Sequence, residues 1–350
     1  MFNSSIKSTK STAARIATAG IAAVAAFSLA GCSGGSGEVS GSEGGPEPVT
    51  IRAITPLSAD WSEMDGFNEE FIAAVEEVAP WVTVEVVGGS EVVPSNAQVE
   101  AVSSGAYDMA PIYPGYAEGF IPGISAALIS LDLPTEERAA GTTDLYNEIF
   151  FNPNGMTYLG AQHGGDQYAI YLGEDACERF DPENPSLDGM VIRGGDQYAQ
   201  AVDYLGGSIV NMPVGEVYNA VERGVIDGYG MTGLGMPAIG TAEITGCRIE
   251  PSFKTNTSLL AVNTAWWEGL EAETREAIEE AVVLAEERME ESYAPKIEES
   301  KNWHAENGIE SIELSPEEGK KLIEEVDARS WEEAIEANPE VKKLRDLWEG

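Results

Sequence analysis

Apolar positions in residues 186–231 fall into short runs divided by glycine pairs, and their spacing switches between a two-residue and a helical period. Met190-Val-Ile is entered through Asp188-Gly189 and left through Gly194-Gly195, which predicts a buried strand with Arg193 at its carboxyl end. Ala199, Val202 and Leu205 then repeat at helical spacing until Gly206-Gly207 stops them. Ser208 to Met212 reads as a second strand. Pro213 and Glu216 open a second helix, with Val217, Ala220 and Val221 inward, which Gly224 ends before Val225-Ile226 starts a third strand. Such a β-α-β-α-β order implies parallel strands, whose ligands sit beyond the carboxyl ends. Arg193 stands at that place. Its planar guanidinium suits a carboxylate ligand, and an ion pair with a nearby Asp or Glu is the competing use.

The same alternation occurs earlier. Val49 to Thr55 predicts a strand, Phe67 to Val78 a helix with Phe67, Phe71, Ala74, Val75 and Val78 on one face, and Val82 to Val87 a second strand. Ser95 is placed to cap a helix over Asn96 to Ser103, and Tyr107 to Ile112 reads as a third strand ending at Tyr113-Pro-Gly-Tyr116. Leu131-Asp-Leu-Pro134 leads into a helix over Thr135 to Phe150. Ser258 to Asn263 reads as a strand returning to the first unit, and Glu268 to Glu291 as a long helix that Pro295 kinks or interrupts. Ser315-Pro316 starts the last helices, which pack Leu322, Val326, Trp331, Ile335, Leu344 and Trp348. The expected fold class is α/β with two lobes, a ligand cleft between them and long C-terminal helices. Residues 49–165 form lobe 1, with a return around 257–295. Residues 166–256 form lobe 2, with the helices of 296–350 packing across.

Charge narrows the partners. With 60 acidic against 20 basic residues the formal net charge is −40, which opposes nucleic acid or an anionic membrane surface as a partner. Residues 1–31 carry a basic start (Lys7, Lys10, Arg15), an apolar run from Ile16 to Leu29 too short to span a bilayer, and Leu29-Ala-Gly-Cys32, which looks like a lipobox. They predict a lipoprotein signal peptide cleaved before Cys32. Losing Lys7, Lys10 and Arg15 leaves 17 basic against 60 acidic side chains, a net charge of about −43. Residues 32–48 are a Gly/Ser/Glu/Pro-rich tether. If Cys32 is lipidated, Cys177 and Cys247 remain as a pair in an oxidising compartment, where a disulfide is expected and two free thiols are the alternative.

Leu187-Asp-Gly-Met-Val-Ile-Arg193, Leu205-Gly-Gly, Met212-Pro-Val-Gly-Glu-Val-Tyr218 and Ala220-Val-Glu-Arg-Gly-Val-Ile-Asp-Gly228 together resemble, in order and spacing, the signature of the solute-binding proteins of tripartite ATP-independent periplasmic (TRAP) transporters. Weaker likeness runs from about Val49 to the C-terminus. The resemblance implies a two-lobed periplasmic-binding-protein-like fold, a small organic acid as ligand, a membrane permease as partner, and Arg193 as the residue that holds the ligand carboxylate. Two departures qualify it. Many members carry a further Arg near residues 164–169, where Gln167 or Tyr168 stands here, which puts a dicarboxylate ligand in doubt. After Asp227-Gly228 this chain has Tyr229, Gly230, Met231 and Thr232 instead of the usual acidic and amide or aromatic residues.

Further candidates come from position. Trp61, Tyr113 and Tyr116 lie at or after strand ends of lobe 1, and Asn263 ends the returning strand. Gly164-Gly-Asp-Gln-Tyr-Ala169 recurs as Gly194-Gly-Asp-Gln-Tyr-Ala199, so Gln167, Tyr168, Asp196, Gln197 and Tyr198 are candidates to line the ligand space, with coincidence as the rival account. Met231 and Thr232 would form its altered floor. His163 and His304 have no Cys or carboxylate neighbours at metal-ligand spacing, so no metal site is expected, although a cation accompanying the ligand through Asp166 or Asp196 stays open. No Gly-x-Ser-x-Gly elbow, phosphate loop or dinucleotide fingerprint occurs, so the chain is read as no enzyme and as needing no cofactor. The leading expectation is an extracytoplasmic, lipid-anchored receptor that delivers an organic acid to a TRAP-type permease. A ligand sensor or the receptor of an ATP-driven importer is the alternative, and a surface-anchored hydrolase the more distant one.

Overall fold

The computed structural model describes residues 45–57 and 64–350. The leader, its Cys32 and Trp61 lie outside the described residues. Two sheets organise the rest. The first contains β1 (Val49–Ile54), β2 (Val82–Gly88), β3 (Met109–Ile112) and β4 (Met156–Gln162); the second contains β5 (Gln167–Leu172), β6 (Val191–Arg193), β7 (Ser208–Val210), β8 (Gly228–Thr232) and β9 (Cys247–Thr255). The chain then returns to the first sheet as β10 (Ser258–Asn263) and adds β11 (Glu310–Glu313) to the edge of the second.

The first sheet has the order β2-β1-β3-β10-β4. β1 pairs in parallel with β2, with Ile51 opposite Val84, and with β3, while β10 runs antiparallel between β3 and β4. The second has the order β11-β9-β5-β8-β6-β7, parallel across β6, β7 and β8 and antiparallel at β5. Because both sheets are covered on both faces, their central strands are almost wholly apolar, as in the fully buried β10.

Two helices serve both sheets. The 35-residue helix Ala272–Glu306 buries Ile278, Val282, Ala285 and Met289 on the first sheet, while its last turns bring Trp303 against the core of the second. The helix Pro316–Ala337 places Leu322 and Val326 in the core of the second sheet and Trp331 and Ala334 in that of the first. Ser315 caps it by accepting from the Glu318 amide at 3.3 Å.

Several local expectations are corrected. Pro295 does not interrupt its helix: it sits inside Ala272–Glu306, which continues past it. A proline costs such a helix roughly 3 kcal/mol, less than the packing of Met289 and Tyr293 before it and His304 after it supplies. The predicted helix over 135–150 is broken at Gly141, whose φ of 92° ends Pro134–Ala140. Ser95 does not cap its helix; its Oγ donates instead to the carbonyl of Pro56 at 2.7 Å. Val225-Ile226 belongs to a turn with Val225 61% exposed, and the strand begins at Gly228.

Candidate functional site

Strand direction decides what meets between the sheets. The carboxyl ends of β1, β3, β6, β7 and β8 point to one cavity of about 770 Å³. Pro56 and Leu57 reach it from beyond β1, and Tyr113 and Tyr116 from beyond β3. From the second sheet come Arg193 at the end of β6, Asn211 and Met212 past β7, and Met231 and Thr232 at the end of β8. Tyr168 is the second residue of β5, which runs the other way, so its register opposite Thr232 brings it to the same place.

Arg193 is half-buried, and its Nε donates to the carbonyl of Met212 at 3.0 Å. That bond ties the guanidinium to the loop beyond β7. Among the described residues Arg193 makes no ion pair. It is also the one Lys or Arg among the described residues lining the cavity.

The helix Asp196–Tyr204 starts at the cavity and carries the second copy of the repeated hexapeptide inward. Asp196 is exposed at the rim. Gln197 faces the other lobe, where a Cβ on Gly115 would lie 3.5 Å from its Oε1. Tyr198 is buried and stands edge-on to Tyr168, with ring centroids 5.2 Å apart. Burial pushes its phenol well above the ordinary tyrosine range, so it stays neutral. The Tyr168 hydroxyl donates to Asn256 Oδ1 at 2.9 Å. On the first lobe Tyr113 and Tyr116 form a second edge-on pair at 6.5 Å.

Of the sequence candidates, Arg193, Tyr168, Asp196, Gln197, Tyr198, Tyr113, Tyr116, Met231 and Thr232 come together here. Two do not. Gln167 points to a different cavity of about 580 Å³, with Arg248 and His304. Asn263 is a capping residue: Oδ1 accepts from the Trp266 amide at 3.0 Å, and Nδ2 donates to the carbonyls of Val102 and Ser103, each at 3.0 Å. Ser90, Leu128, Asn211 and Asn256 also line the cavity and were not anticipated. Asn211 lies near the carboxyl end of the strand predicted over Ser208 to Met212 and was findable by the rule that found Arg193. Leu128 comes from a single-turn helix between the lobes' elements and carries no such signal.

Cys177 and Cys247 are disulfide-bonded, with Cα atoms 5.8 Å apart, joining the helix Glu174–Arg179 to the start of β9. Both histidines are buried away from this cavity, and burial lowers each imidazole to about 4. No group of three or more His, Cys, Asp or Glu placed to hold a metal occurs among the described residues. No described helix is long and apolar enough to cross a membrane.

Residues 186–337 match the model of the family described as bacterial extracellular solute-binding protein, family 7. A solute-binding protein of Chromohalobacter salexigens is 23% identical over 264 residues, covering 70% of this chain and 73% of that protein. Among solved structures, a Bordetella pertussis extracytoplasmic solute receptor binding pyroglutamic acid superimposes with a TM-score of 0.71 at 17% identity, over 86% of this chain and 99% of that one. A marine metagenome TRAP solute-binding protein specific for aromatic acid ligands, in complex with 3-hydroxybenzoate, gives 0.68 at 18% identity, over 86% and 98%. The fold is that of the two-lobed TRAP periplasmic solute-binding proteins, and the family match covers the segment that carries Arg193.

Proposed function

We propose that this chain, whose residues 186–337 match the family 7 solute-binding model, captures a small organic acid between its lobes with Arg193 on the carboxylate and delivers it to a TRAP-type permease. The observation that carries this reading is Arg193 itself: a half-buried guanidinium at a strand's carboxyl end, oriented by Met212 and unpaired with any described acid. A fork in that setting gives a carboxylate paired hydrogen bonds in partly desolvated surroundings. Pyroglutamic acid and 3-hydroxybenzoate, bound by the two structural relatives, both offer a carboxylate.

The mature chain's negative charge repels anions at long range, so recognition depends on this local cation. Closure replaces water with enclosed contacts, and the ligand shifts the open–closed population by its differential affinity. The lipobox at Cys32 supports anchoring of the receptor to the outer face of the membrane by lipid. Titration calorimetry with a panel of organic acids tests the central claim. Saturable binding of an acid without turnover, lost in Arg193→Ala, is expected; a panel in which no carboxylate binds would overturn it.

A further inference from the structure

We infer that the ligand is a monocarboxylate with an uncharged aromatic body, a reading that rests on the receptor role proposed above and adds the substrate class to it. The cavity is graded from floor to rim. Its deepest lining side chains are Leu128, Tyr168, Tyr198, Met231 and Thr232, all buried. Of the three hydroxyls among them two are engaged within the fold, the Thr232 hydroxyl accepting from the Gly235 amide at 3.1 Å and the Tyr168 hydroxyl donating to Asn256, while the third is the neutral phenol of Tyr198. The floor therefore offers ring and carbon surface with one uncharged phenol, that of Tyr198, and no charge. Charged Asp196 and polar Asn211 stand exposed at the rim.

Arg193 is the cavity's one cation among the described lining residues, so one carboxylate can be matched and a second cannot. A dicarboxylate would direct its other charge either onto the apolar floor or toward Asp196. Leaving one carboxylate of a charge pair without its partner costs a factor of about 30 or more. A polyhydroxy acid would press hydroxyls onto Leu128 and Met231 and leave them unpaired. An aromatic body suits the site better, because Tyr168 and Tyr198 already stand edge to face, the arrangement a third ring extends. Each such ring pair is worth a factor of roughly two to ten beyond its buried area.

The test is titration calorimetry of the mature chain with phenylacetate, 3-hydroxybenzoate, hexanoate, succinate and glucuronate, with Arg193→Ala as a control shown to be folded by circular dichroism. Phenylacetate or 3-hydroxybenzoate is expected to bind at least about 30-fold more tightly than succinate and glucuronate, and at least about five-fold more tightly than hexanoate. Tighter binding of succinate or glucuronate that still depends on Arg193 overturns the ligand class and leaves the receptor role standing. Hexanoate equal to the ring-bearing acids overturns the aromatic part. Absence of binding by all five overturns the inference together with the receptor role.

Discussion

The ring of Tyr198 lies against the backbone of Gly230, where a methyl group would come 2.3 Å from its Cδ1. This contact accounts for glycine in the Tyr229-Gly-Met-Thr232 segment, because any side chain there meets the ring that walls the cavity floor. Gly230→Ala is expected to displace Tyr198, lowering stability by about 1–3 kcal/mol through overpacking. Ligand affinity should fall as well, by about ten-fold. Urea unfolding and calorimetry on the same sample separate the two effects, and unchanged affinity would place the ligand away from Tyr198.

Arg193→Lys keeps the charge and loses the fork, whereas Arg193→Ala loses both. Affinity should therefore fall in the order Arg, Lys, Ala, with the alanine variant weaker by about 2–5 kcal/mol. Added salt should screen the repulsion between the acidic surface and the anion while affecting the enclosed pair less. An alanine variant within a factor of about three of the parent would mean that the carboxylate binds elsewhere.

The Cys177–Cys247 disulfide spans 70 residues. On the chain-entropy model a loop of that length stabilises the fold by roughly 4 kcal/mol. The Cys177→Ser, Cys247→Ser double variant should show a denaturation midpoint lowered accordingly, and reduction of the parent should reproduce the shift. Equal midpoints before and after reduction would remove the bond from the stability account.

Glu137 is buried beneath the first lobe, and burial raises its carboxyl to about 8. A group whose folded value lies above its unfolded one contributes stability below about 4.5, and that contribution is lost as pH rises through about 8. Relative to Glu137→Gln, the parent should lose about 1.4 kcal/mol per pH unit across that window. Urea midpoints at pH 5 and pH 7.5 measure it. Parallel curves would show that Glu137 ionises normally in the fold.

The parts of this fold that the sequence makes legible are those where burial repeats at a local period. Val191-Ile192 and Arg193 were found because a glycine pair brackets an apolar run, and the helix Asp196–Tyr204 because its inward side recurs at helical spacing. β9 was not legible. It interleaves Ile249 and Phe253 with Arg248, Glu250 and Lys254; Arg248 pairs with Glu250 of the same strand at 2.8 Å, and the buried Lys254 donates to the distant Gln200 at 2.6 Å. A partner such as Gln200 is set by tertiary approach, which no window of sequence around Lys254 contains. Asn263 misled for a related reason: an amide at a strand's end serves a ligand or a helix cap equally well until the neighbouring backbone is known.

The helices Ala272–Glu306 and Pro316–Ala337 have a consequence for how such a protein can be inherited or engineered. Because each contributes to the cores of both sheets, and because β10 and β11 return the chain to sheets begun much earlier, neither lobe corresponds to a contiguous stretch of gene. A stop codon placed after Glu306 would remove an edge strand from one sheet and Trp331 from the core of the other, damaging both lobes at once. Exchange of a ligand-binding half with a relative would require several splice points, so new specificities in this architecture are reached more readily by substitution along the cavity floor than by shuffling of segments.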